Sequence, residues 1–312
     1  MIQNATLEIR ESGARLDAAL VAAFPATTRA LVRGAVAGGA VLVNGCRAVK
    51  GAKLRAGDVI TVSALPEAAD NAVAPAPGGL AVVFEDSDLL AFDKPAGVPV
   101  QPLDRLETGT LMNAVAARYP ECRRVGDSPL SAGAVHRIDA DTSGLVIVAR
   151  NDAAFENLRA QFAARAVRKT YLALVEGDVA VGGTLENDLA HDPTLPFCRM
   201  IDANRNRLAG PARRRLRAMH AVTEFKPVGR TVRGGETLTL LEITIYTGVT
   251  HQIRAQLAFA GMHIVNDRLY GAFAVENMTG HRLHALAAAF THPSSGMPAE
   301  IHTGFPPWAI SI

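Results

Sequence analysis

The amino-acid sequence predicts an α+β protein with a small α/β domain at its N-terminus and a larger domain on a mixed, largely antiparallel sheet. Residues 64–80 are rich in Ala, Pro and Gly and contain few of the branched apolar residues that bury surface, which is typical of a linker. The segment before it has a helical half followed by a strand-like half, and strands dominate after it. We therefore place the two domains at 1–63 and 81–312.

The N-terminal domain is predicted to hold two helices followed by a small β-element. Leu16 and Leu20 recur on one face of the first helix, and a threonine at 27–28 can cap the second. An Asn-Gly pair at 44–45 indicates a hairpin turn. Residues 53–62 contain another turn that leads into a strand.

The larger domain is predicted to combine strands with helices. Strands are expected at 82–84, 89–92, 145–148, 171–175 and 241–245. Helices are expected at 110–118, 152–165 and 250–260, the last capped by Thr250 and ended by Gly261. The last strand alternates apolar and polar residues, as a strand with one buried face does. Helices interspersed among such strands favour an α+β domain with a mixed sheet.

Composition excludes several classes of protein. Hydrophobic residues make up 49% and charged residues 20% of 312 residues, and no apolar run approaches the roughly 20 residues of a membrane helix. The first residues lack a secretory signal pattern, so we expect a soluble, cytoplasmic monomer without a membrane partner. The isolated residues Cys46, Cys122 and Cys198 favour free thiols over disulfides or a zinc ribbon.

Positive charge is concentrated in two places although the net charge is only +2. Residues 1–63 hold eight Lys or Arg against four acids, and residues 199–217 hold seven arginines and one acid. The second stretch also contains Asn, Gly and Pro, which predicts an exposed loop. Such a loop either grips phosphates or is merely solvated.

One turn concentrates groups that can carry chemistry. Residues 134–145 place a cation, two carboxylates and two hydroxyls directly before an apolar strand, where a cleft can form. The pattern fits a functional carboxylate, but it also fits a structural turn whose Asp and Thr satisfy backbone amides. A hydrolytic triad of His136, Asp139 and Ser143 is a third interpretation, disfavoured because members so close in one turn rarely align.

Two further segments are ambiguous by themselves. Arg254 lies one turn after Thr250, so it can project into a site at the helix start or be a solvated helix arginine. Residues 168–171 place two cations before Tyr171, an aromatic residue that more often packs in a core.

Five ordered segments together resemble the signature set of the RluA-type pseudouridine synthases. They are Phe92-Asp93-Lys94-Pro95-Ala96-Gly97, His136-Arg137-Ile138-Asp139 with Thr142-Ser143-Gly144-Leu145, Arg168-Lys169-Thr170-Tyr171, Thr247-Gly248 with Thr250-His251-Gln252-Ile253-Arg254, and Leu283-His284-Ala285 leading to His292-Pro293. This resemblance spans residues 82–308. Residues 14–63 resemble the alpha-L RNA-binding motif, which is named after a small-subunit ribosomal protein.

The resemblance implies an enzyme that isomerises uridine to pseudouridine in structured RNA. The bond between base nitrogen and ribose is cleaved, the uracil rotates, and ring carbon 5 is joined to the sugar. Nothing is added or lost overall, so no cofactor and no metal are expected, and the sequence lacks dinucleotide, phosphate-loop and His-Glu-x-x-His motifs. A zinc site at His281, His284 and His292 is disfavoured because a fourth ligand and a matching spacing are missing.

The resemblance also implies a role for four residues. Asp139 matches the essential carboxylate, which either attacks the sugar or removes a sugar proton. A carboxylate in a uracil pocket loses hydration and needs a paired cation to stay charged, and Arg254 matches that partner. Tyr171 matches the residue that stacks beneath the uracil and assists proton transfer at carbon 5. Arg137 matches the residue that fills the space of the extruded nucleotide.

Further contacts with RNA are expected from both domains. In the catalytic segments the substrate-binding candidates are Lys94, His136, Thr142, His251, Gln252 and Leu283. In the N-terminal domain the candidates are Arg15, Arg29, Arg33, Lys50 and Lys53. Val249 and Ala255-Gln256 depart from the usual family pattern, which we expect to affect contacts with RNA rather than the chemistry.

The N-terminal motif favours ribosomal RNA, above all large-subunit RNA, as the partner over transfer RNA. A non-catalytic RNA-binding or ribosome-assembly protein on the same fold is the main rival. The joint presence of Asp139, Tyr171 and Arg254 argues against that rival, because a pure binder does not need this trio.

Overall fold

The computed structural model describes residues 1–49, 51–67, 72–194, 199–205, 216–272 and 279–310. Lys50, Cys198 and residues 206–215 of the basic stretch lie outside the described residues. Within the described ranges, no helix is both long enough and apolar enough to span a bilayer.

The N-terminal domain is a four-stranded antiparallel sheet with two helices. Its elements are β1 (Ile2–Glu8), α1 (Leu16–Ala23), α2 (Arg29–Ala37), β2 (Val41–Val43), β3 (Cys46–Arg47) and β4 (Val59–Leu65). The strand order is β1-β4-β2-β3. Leu16 and Leu20 of α1 are buried with Val32 of α2 and Ile60 of β4, so the helices and the sheet share one core. Two helices followed by a hairpin and a strand agree with the sequence, whereas β1 was not predicted.

Local side chains fix the turns of this domain. Thr28 is the N-cap of α2 and its Oγ1 accepts a hydrogen bond from the amide of Leu31, while Thr27 Oγ1 donates to Pro66 O. Thr28 therefore caps the helix, whereas Thr27 bonds to the backbone directly after β4. Asn44 and Gly45 both adopt positive φ, 52° and 76°, as a tight hairpin with an Asn-Gly turn requires.

Both ends of the segment predicted as a linker pack against or pair with folded parts of the chain. β4 runs to Leu65, which pairs with Ile2 of β1 and is fully buried. On the other side, Val73 is buried and its amide donates to Pro129 O in the larger domain. The Asn113 side chain donates to Ala74 O.

The larger domain alternates strands with short helices. Its elements are β5 (Ala81–Glu85), β6 (Leu89–Lys94), α3 (Leu111–Arg118), β7 (Ser143–Ala149), α4 (Asp152–Ala163), β8 (Arg168–Glu176), β9 (Gly183–His191), β10 (Met200–Asp202), β11 (Met219–Arg233), β12 (Glu236–Ile245), α5 (Gln252–Phe259), β13 (Leu283–Thr291), β14 (Pro298–His302) and α6 (Pro307–Ile310). Short 3-10 turns cover Pro120–Arg124 and Arg268–Tyr270. The predicted strands and helices are all present, with shifted ends.

The strands of this domain form one sheet, whose order in the described part of the chain is β10-β9-β11-β12-β8-β13-β7-β6-β5, with β14 paired to β13. Every pair is antiparallel except β13 with β7, which is parallel. This confirms the mixed, largely antiparallel sheet. The parallel pair places the start of β7 beside the start of β13, with His284 opposite Ser143. The turn that contains Asp139 therefore leads into a strand in the interior of the sheet.

Two helices of this domain begin at capping residues. Thr110 caps α3 in a reciprocal box with Asn113, and the Asn151 side chain accepts from the amide of Ala154 at the start of α4. The predicted cap of α5 at Thr250 is wrong, because the helix begins after His251, which adopts a left-handed conformation with φ 52°.

Candidate active site

A cleft of about 960 Å³ opens on the larger domain where the turn before β7, strand β8 and the start of α5 meet. Its walls are residues 99–103 and 134–140, part of β8, and the start of α5 with the loop before it. Asp139, Tyr171 and Arg254 all line this cleft although they are far apart in the sequence. A cleft of this size is typical of small-molecule sites and is large enough for one nucleotide.

Asp139 and Arg254 form an ion pair in the cleft. Arg254 Nη1 donates to Asp139 Oδ2 at 2.7 Å. The arginine side chain is 9% exposed and the aspartate side chain 27% exposed, so the carboxylate is reachable from the cleft while its partner is enclosed. The cation is therefore fixed and the carboxylate remains accessible.

The opposite edge of the guanidinium binds a second carboxylate. Arg254 Nε and Nη2 donate to the two oxygens of Asp267, at 2.6 and 2.9 Å. Burial lowers the pKa of Arg254, but the hydrogen bonds and charge of Asp267 and the charge of Asp139 together raise it above its usual value. Burial raises the pKa of Asp267, but Arg254 holds it below the usual range. Both groups are therefore charged at neutral pH.

Tyr171 lies on β8 between Ile243 of β12 and Ala285 of β13. Its side chain is buried, and burial together with the charge of Asp139 raises the pKa of its phenol. The ring is therefore a neutral, rigid part of the cleft wall. Leu283, also buried, belongs to the same wall.

His251 lies between Asp139 and Tyr270. Its Nε2 is 3.7 Å from Asp139 Oδ2, and its Nδ1 is 3.2 Å from the Tyr270 hydroxyl. That hydroxyl accepts a hydrogen bond from the amide of Met200 at 2.8 Å. Burial lowers the pKa of His251, which favours the neutral imidazole. A non-glycine residue with positive φ is uncommon, and such conformations concentrate at functional sites.

His136 and Arg137 are neighbours in the sequence with opposite environments. His136 stacks on Phe162 with ring centroids 5.0 Å apart, and its Nε2 accepts from the amide of Ile147. Burial, with a smaller contribution from Lys169, lowers the pKa of His136 to about 3, so it is neutral. Arg137 is exposed at the rim of the cleft.

The hydrolytic triad considered from the sequence does not form. His136 Nε2 is engaged by the backbone amide of Ile147, whereas Ser143 Oγ is 2.8 Å from Nδ1 of His284. Asp139 pairs instead with Arg254. The three proposed members therefore have separate partners and do not make the required line of nucleophile, base and orienting acid.

Lys94 and Gln252, two of the expected substrate contacts, have polar groups that are bonded within the protein, and Gln252 also lines the cleft. Lys94 is fully buried, and its ammonium donates to the carbonyls of Pro95, Val98 and Ala140. The Gln252 amide bonds to groups of residues 222–223 and 247–249. Both side chains therefore hold the backbone around the cleft, because their polar atoms already have protein partners.

Buried histidines hold the turn after Asp139 against β13. Thr142 is buried and its Oγ1 is 2.8 Å from His281 Nε2. His284 contacts Ser143 through Nδ1 and Thr303 through Nε2. His292 bonds instead to an aspartate on the β5–β6 turn. The three histidines considered for zinc thus have separate partners.

Three residues around the cleft had no assigned role in the sequence interpretation. Asp267 and Tyr270 contact Arg254 and His251, but they lie in a segment without a distinctive motif. Lys169 lines the cleft, and its ammonium donates to Thr247 O at 2.6 Å. Burial lowers the pKa of Lys169 to about 8. Lys169 could have been identified from the sequence, because it belongs to the family segment Arg168-Lys169-Thr170-Tyr171.

The two residues of α5 that depart from the family pattern lie in the interior of the protein. Ala255 and Gln256 are buried, and the Gln256 amide bonds to Thr223 and Ala221 of β11. This corrects the expectation of altered RNA contacts there, because Gln256 fastens the helix to the sheet. Val249, in contrast, lines the cleft.

The described cations of the N-terminal domain are on its surface. Arg29, Arg33 and Lys53 are exposed. Arg15 is exposed too, but its guanidinium is paired with Asp17.

Comparisons with known proteins identify the family of this chain. Residues 88–259 match the family described as RNA pseudouridylate synthase, and residues 14–60 match the S4 domain. Over 312 residues the chain is 32% identical to "Ribosomal large subunit pseudouridine synthase D" of Neisseria meningitidis serogroup B, covering 96% of this chain and 78% of that protein. It is 34% identical over 318 residues to the protein of the same name from Xanthomonas campestris pv. campestris, with coverages of 98% and 89%.

One solved structure shows the same fold. "Human RNA Pseudouridylate Synthase Domain Containing 1" superposes with a TM-score of 0.59 at 24% identity, covering 74% of this chain and 86% of that chain. The family match spans more than half of the sequence and contains the residues that form the cleft except Leu283. This chain therefore belongs to the RNA pseudouridylate synthase family and is an RNA pseudouridine synthase with an N-terminal S4 domain.

Proposed function

We propose that this enzyme converts uridine to pseudouridine in large-subunit ribosomal RNA and that Asp139 is its catalytic carboxylate. The observation that carries the proposal is the pair of Asp139 with Arg254 on the wall of a nucleotide-sized cleft. Two relatives with 32% and 34% identity are named for the large ribosomal subunit, which supports this choice of RNA.

The pair places the carboxylate of Asp139 beside a fixed cation at the wall of the cleft. A carboxylate that loses hydration becomes protonated unless a cation or hydrogen bonds favour its charged form. Arg254 provides both at 2.7 Å and is itself too enclosed to turn away. Arg254 thus holds a fixed positive charge beside the carboxylate that, in this proposal, attacks the sugar or removes a sugar proton, and both routes release the uracil.

The walls of the cleft suit a pyrimidine ring. Tyr171 presents a neutral aromatic ring, and Leu283 and Val249 add apolar surface. Stacking on this surface holds the uracil near the sugar after the bond between them is broken, so that carbon 5 can rotate toward the sugar carbon. The new carbon–carbon bond replaces the bond from carbon 5 to hydrogen. That hydrogen leaves as a proton, and the ring nitrogen released from the sugar takes up a proton, so the product is an isomer of the substrate.

The target nucleotide must leave the RNA stack to reach Asp139. Extrusion costs a few kcal/mol, which contacts with the protein have to offset. Arg137 is exposed at the cleft rim and precedes Asp139 by two residues. We propose that its side chain fills the space that the extruded nucleotide leaves in the RNA. Exposed cations of the S4 domain add phosphate contacts away from the cleft.

Release of tritium from RNA labelled at uracil carbon 5 tests the proposal. We expect the wild-type protein to release tritium from a large-subunit ribosomal RNA transcript and the Asp139→Asn variant to release none, because the amide cannot act as nucleophile or base. Asp141→Asn is the matched control, since Asp141 lies in the same turn but is exposed. We expect it to retain release.

Two outcomes would contradict parts of the proposal. Equal release by the wild type and Asp139→Asn would remove Asp139 from the chemistry. Release from a pool of transfer RNA, with none from the ribosomal transcript, would replace the substrate and leave the reaction standing.

A further inference from the structure

The guanidinium that pairs with Asp139 is held on its other side by a carboxylate from a different segment. Arg254 Nε and Nη2 bind the two oxygens of Asp267, and Nη1 is left for Asp139. Two parallel bonds between planar groups fix the plane and the direction of the guanidinium. The position of Nη1 opposite Asp139 is therefore set by Asp267.

Burial makes this contact hard to replace. The Asp267 side chain is 1% exposed and that of Arg254 is 9% exposed. Water therefore has little access to substitute for a lost oxygen. Asp139, at 27% exposed, is the wetter of the two carboxylates that share the arginine.

The segment that carries Asp267 is itself rigid. The Asp267 amide donates to Ile264 O at 2.9 Å, and Asp267 O accepts from the amides of Tyr270 and Ala272. The Tyr270 ring also packs on the guanidinium, with its centroid 5.3 Å from Arg254 Cζ. One short turn thus holds the arginine by an ionic fork and by an aromatic face.

We infer that Asp267 is a positioning residue, which orients the Arg254 guanidinium so that it faces Asp139. The inference rests on the proposed role of Asp139. Asp267 is not among the described residues that line the cleft, so it acts on the reaction through Arg254 and not by touching RNA.

The first test compares Asp267→Asn with a matched variant. We expect the asparagine variant to lower the single-turnover rate of tritium release at least tenfold at saturating RNA and to change RNA affinity less than twofold. Asp178→Asn removes an acid from an exposed pair, Arg230 with Asp178 at 3.0 Å, and should leave the rate unchanged. A wild-type rate in Asp267→Asn would overturn the inference.

Replacement by glutamate separates charge from packing. Asn has nearly the size of Asp but no charge, whereas Glu keeps the charge and adds a methylene group. If Asp267 only fills space, Asp267→Glu will be the slower enzyme, since overpacking of a buried site is costly. If it orients Arg254, Asp267→Glu will be the faster of the two. The slower glutamate variant would contradict a positioning role.

Stability gives a test that does not depend on catalysis. In the wild-type background Asp267→Asn should lower Tm, because it leaves the buried Arg254 with one anionic partner. In an Arg254→Gln background the same change should raise Tm, because it removes a buried carboxylate that has lost its cation. A fall in Tm of equal size in both backgrounds would show that Asp267 does not act through Arg254.

These results are distinguishable from failure of the proposed function. If the wild-type protein releases no tritium, the proposed function fails, whatever the variants do. If it releases tritium and Asp267→Asn does so at the same rate, only the inference about Asp267 fails.

Discussion

At the scale of single residues, two buried imidazoles fasten the turn after Asp139. His281 and His284 are almost fully buried and contact the hydroxyls of Thr142 and Ser143. Burial lowers the pKa of each to about 4, helped in His281 by the charge of Arg254. Both are therefore neutral in the folded protein under conditions in which an unfolded histidine, with a pKa of roughly 6.5, begins to protonate.

This difference predicts a loss of stability in mild acid. Between about pH 6.5 and pH 4 the unfolded chain binds protons at His281 and His284 that the folded chain does not, so the free energy of unfolding falls as the pH is lowered. Each histidine contributes up to about 1.4 kcal/mol per pH unit. Urea unfolding at pH 7.5, 6.5, 5.5 and 4.5 measures the slope.

A variant tests the assignment of this slope. His284→Gln should make the dependence on pH shallower by about one proton. His302→Gln is the control, because the His302 side chain is 56% exposed, and it should leave the slope unchanged. Equal slopes for the wild type and His284→Gln would show that another group causes the loss.

The residues that meet in the cleft could be predicted from the sequence where a motif accompanies them. Asp139, Tyr171 and Arg254 meet in one cleft, as expected from their ordered segments. Asp267 could not be found in this way, because its importance comes from a contact between distant segments. The burial of Gln252 within a backbone network was equally invisible, since a pattern shows which residues are present but not where their hydrogen bonds go.

At the scale of elements, the parallel pair of β7 and β13 depends on a glycine. Gly144 has φ +109°, and a Cβ placed there would lie 2.2 Å from Ala285 O and 2.6 Å from Ala285 N. The two strands can therefore approach only because position 144 has no side chain. The pair lies directly after the turn that holds Asp139.

Gly144→Ala should separate these strands. We expect a loss of about 3–5 kcal/mol in the free energy of unfolding, combining positive-φ strain with a backbone clash. Gly177→Ala is the matched control, because Gly177 also has positive φ, +91°, but open space around it. It should cost about 1–2 kcal/mol from strain alone. Urea unfolding measures both losses. Equal losses of unfolding free energy in Gly144→Ala and Gly177→Ala would mean that β7 and β13 can shift apart without an energetic cost.

Strands were predictable where apolar residues are concentrated and not elsewhere. β7 and β8 are buried over most of their length, and their apolar runs identified them. β1, β9 and β11 have mostly exposed or half-exposed residues, and β11 contains Pro227 and Gly229 at an irregularity in its pairing. These strands are specified by their neighbours in the sheet, which a single segment of sequence does not reveal.

At the scale of the whole molecule, the cleft and the S4 domain are two separate contributions to RNA binding. The pairing of β1 with β4 shows that the N-terminal sheet extends to Leu65. Arg29 and Arg33 are exposed and lie one helical turn apart on α2, so both can face one stretch of phosphates. Arg15 is already paired with Asp17, which reduces its capacity to bind a phosphate.

The dependence of RNA affinity on salt should therefore fall when the cations of α2 are removed. Each phosphate contact with single-stranded RNA contributes about 0.7 to the slope of log K against log salt, so the double variant Arg29→Gln with Arg33→Gln should lose about 1.4. Arg15→Gln should lose less of the slope because Arg15 is already in an ion pair.

Titrations of a ribosomal RNA fragment from low to high salt measure these slopes. Tritium release at saturating RNA is the control for an intact cleft. If the slope is unchanged in the double variant and binding is weaker in Arg15→Gln, the phosphates contact the start of α1 and not α2.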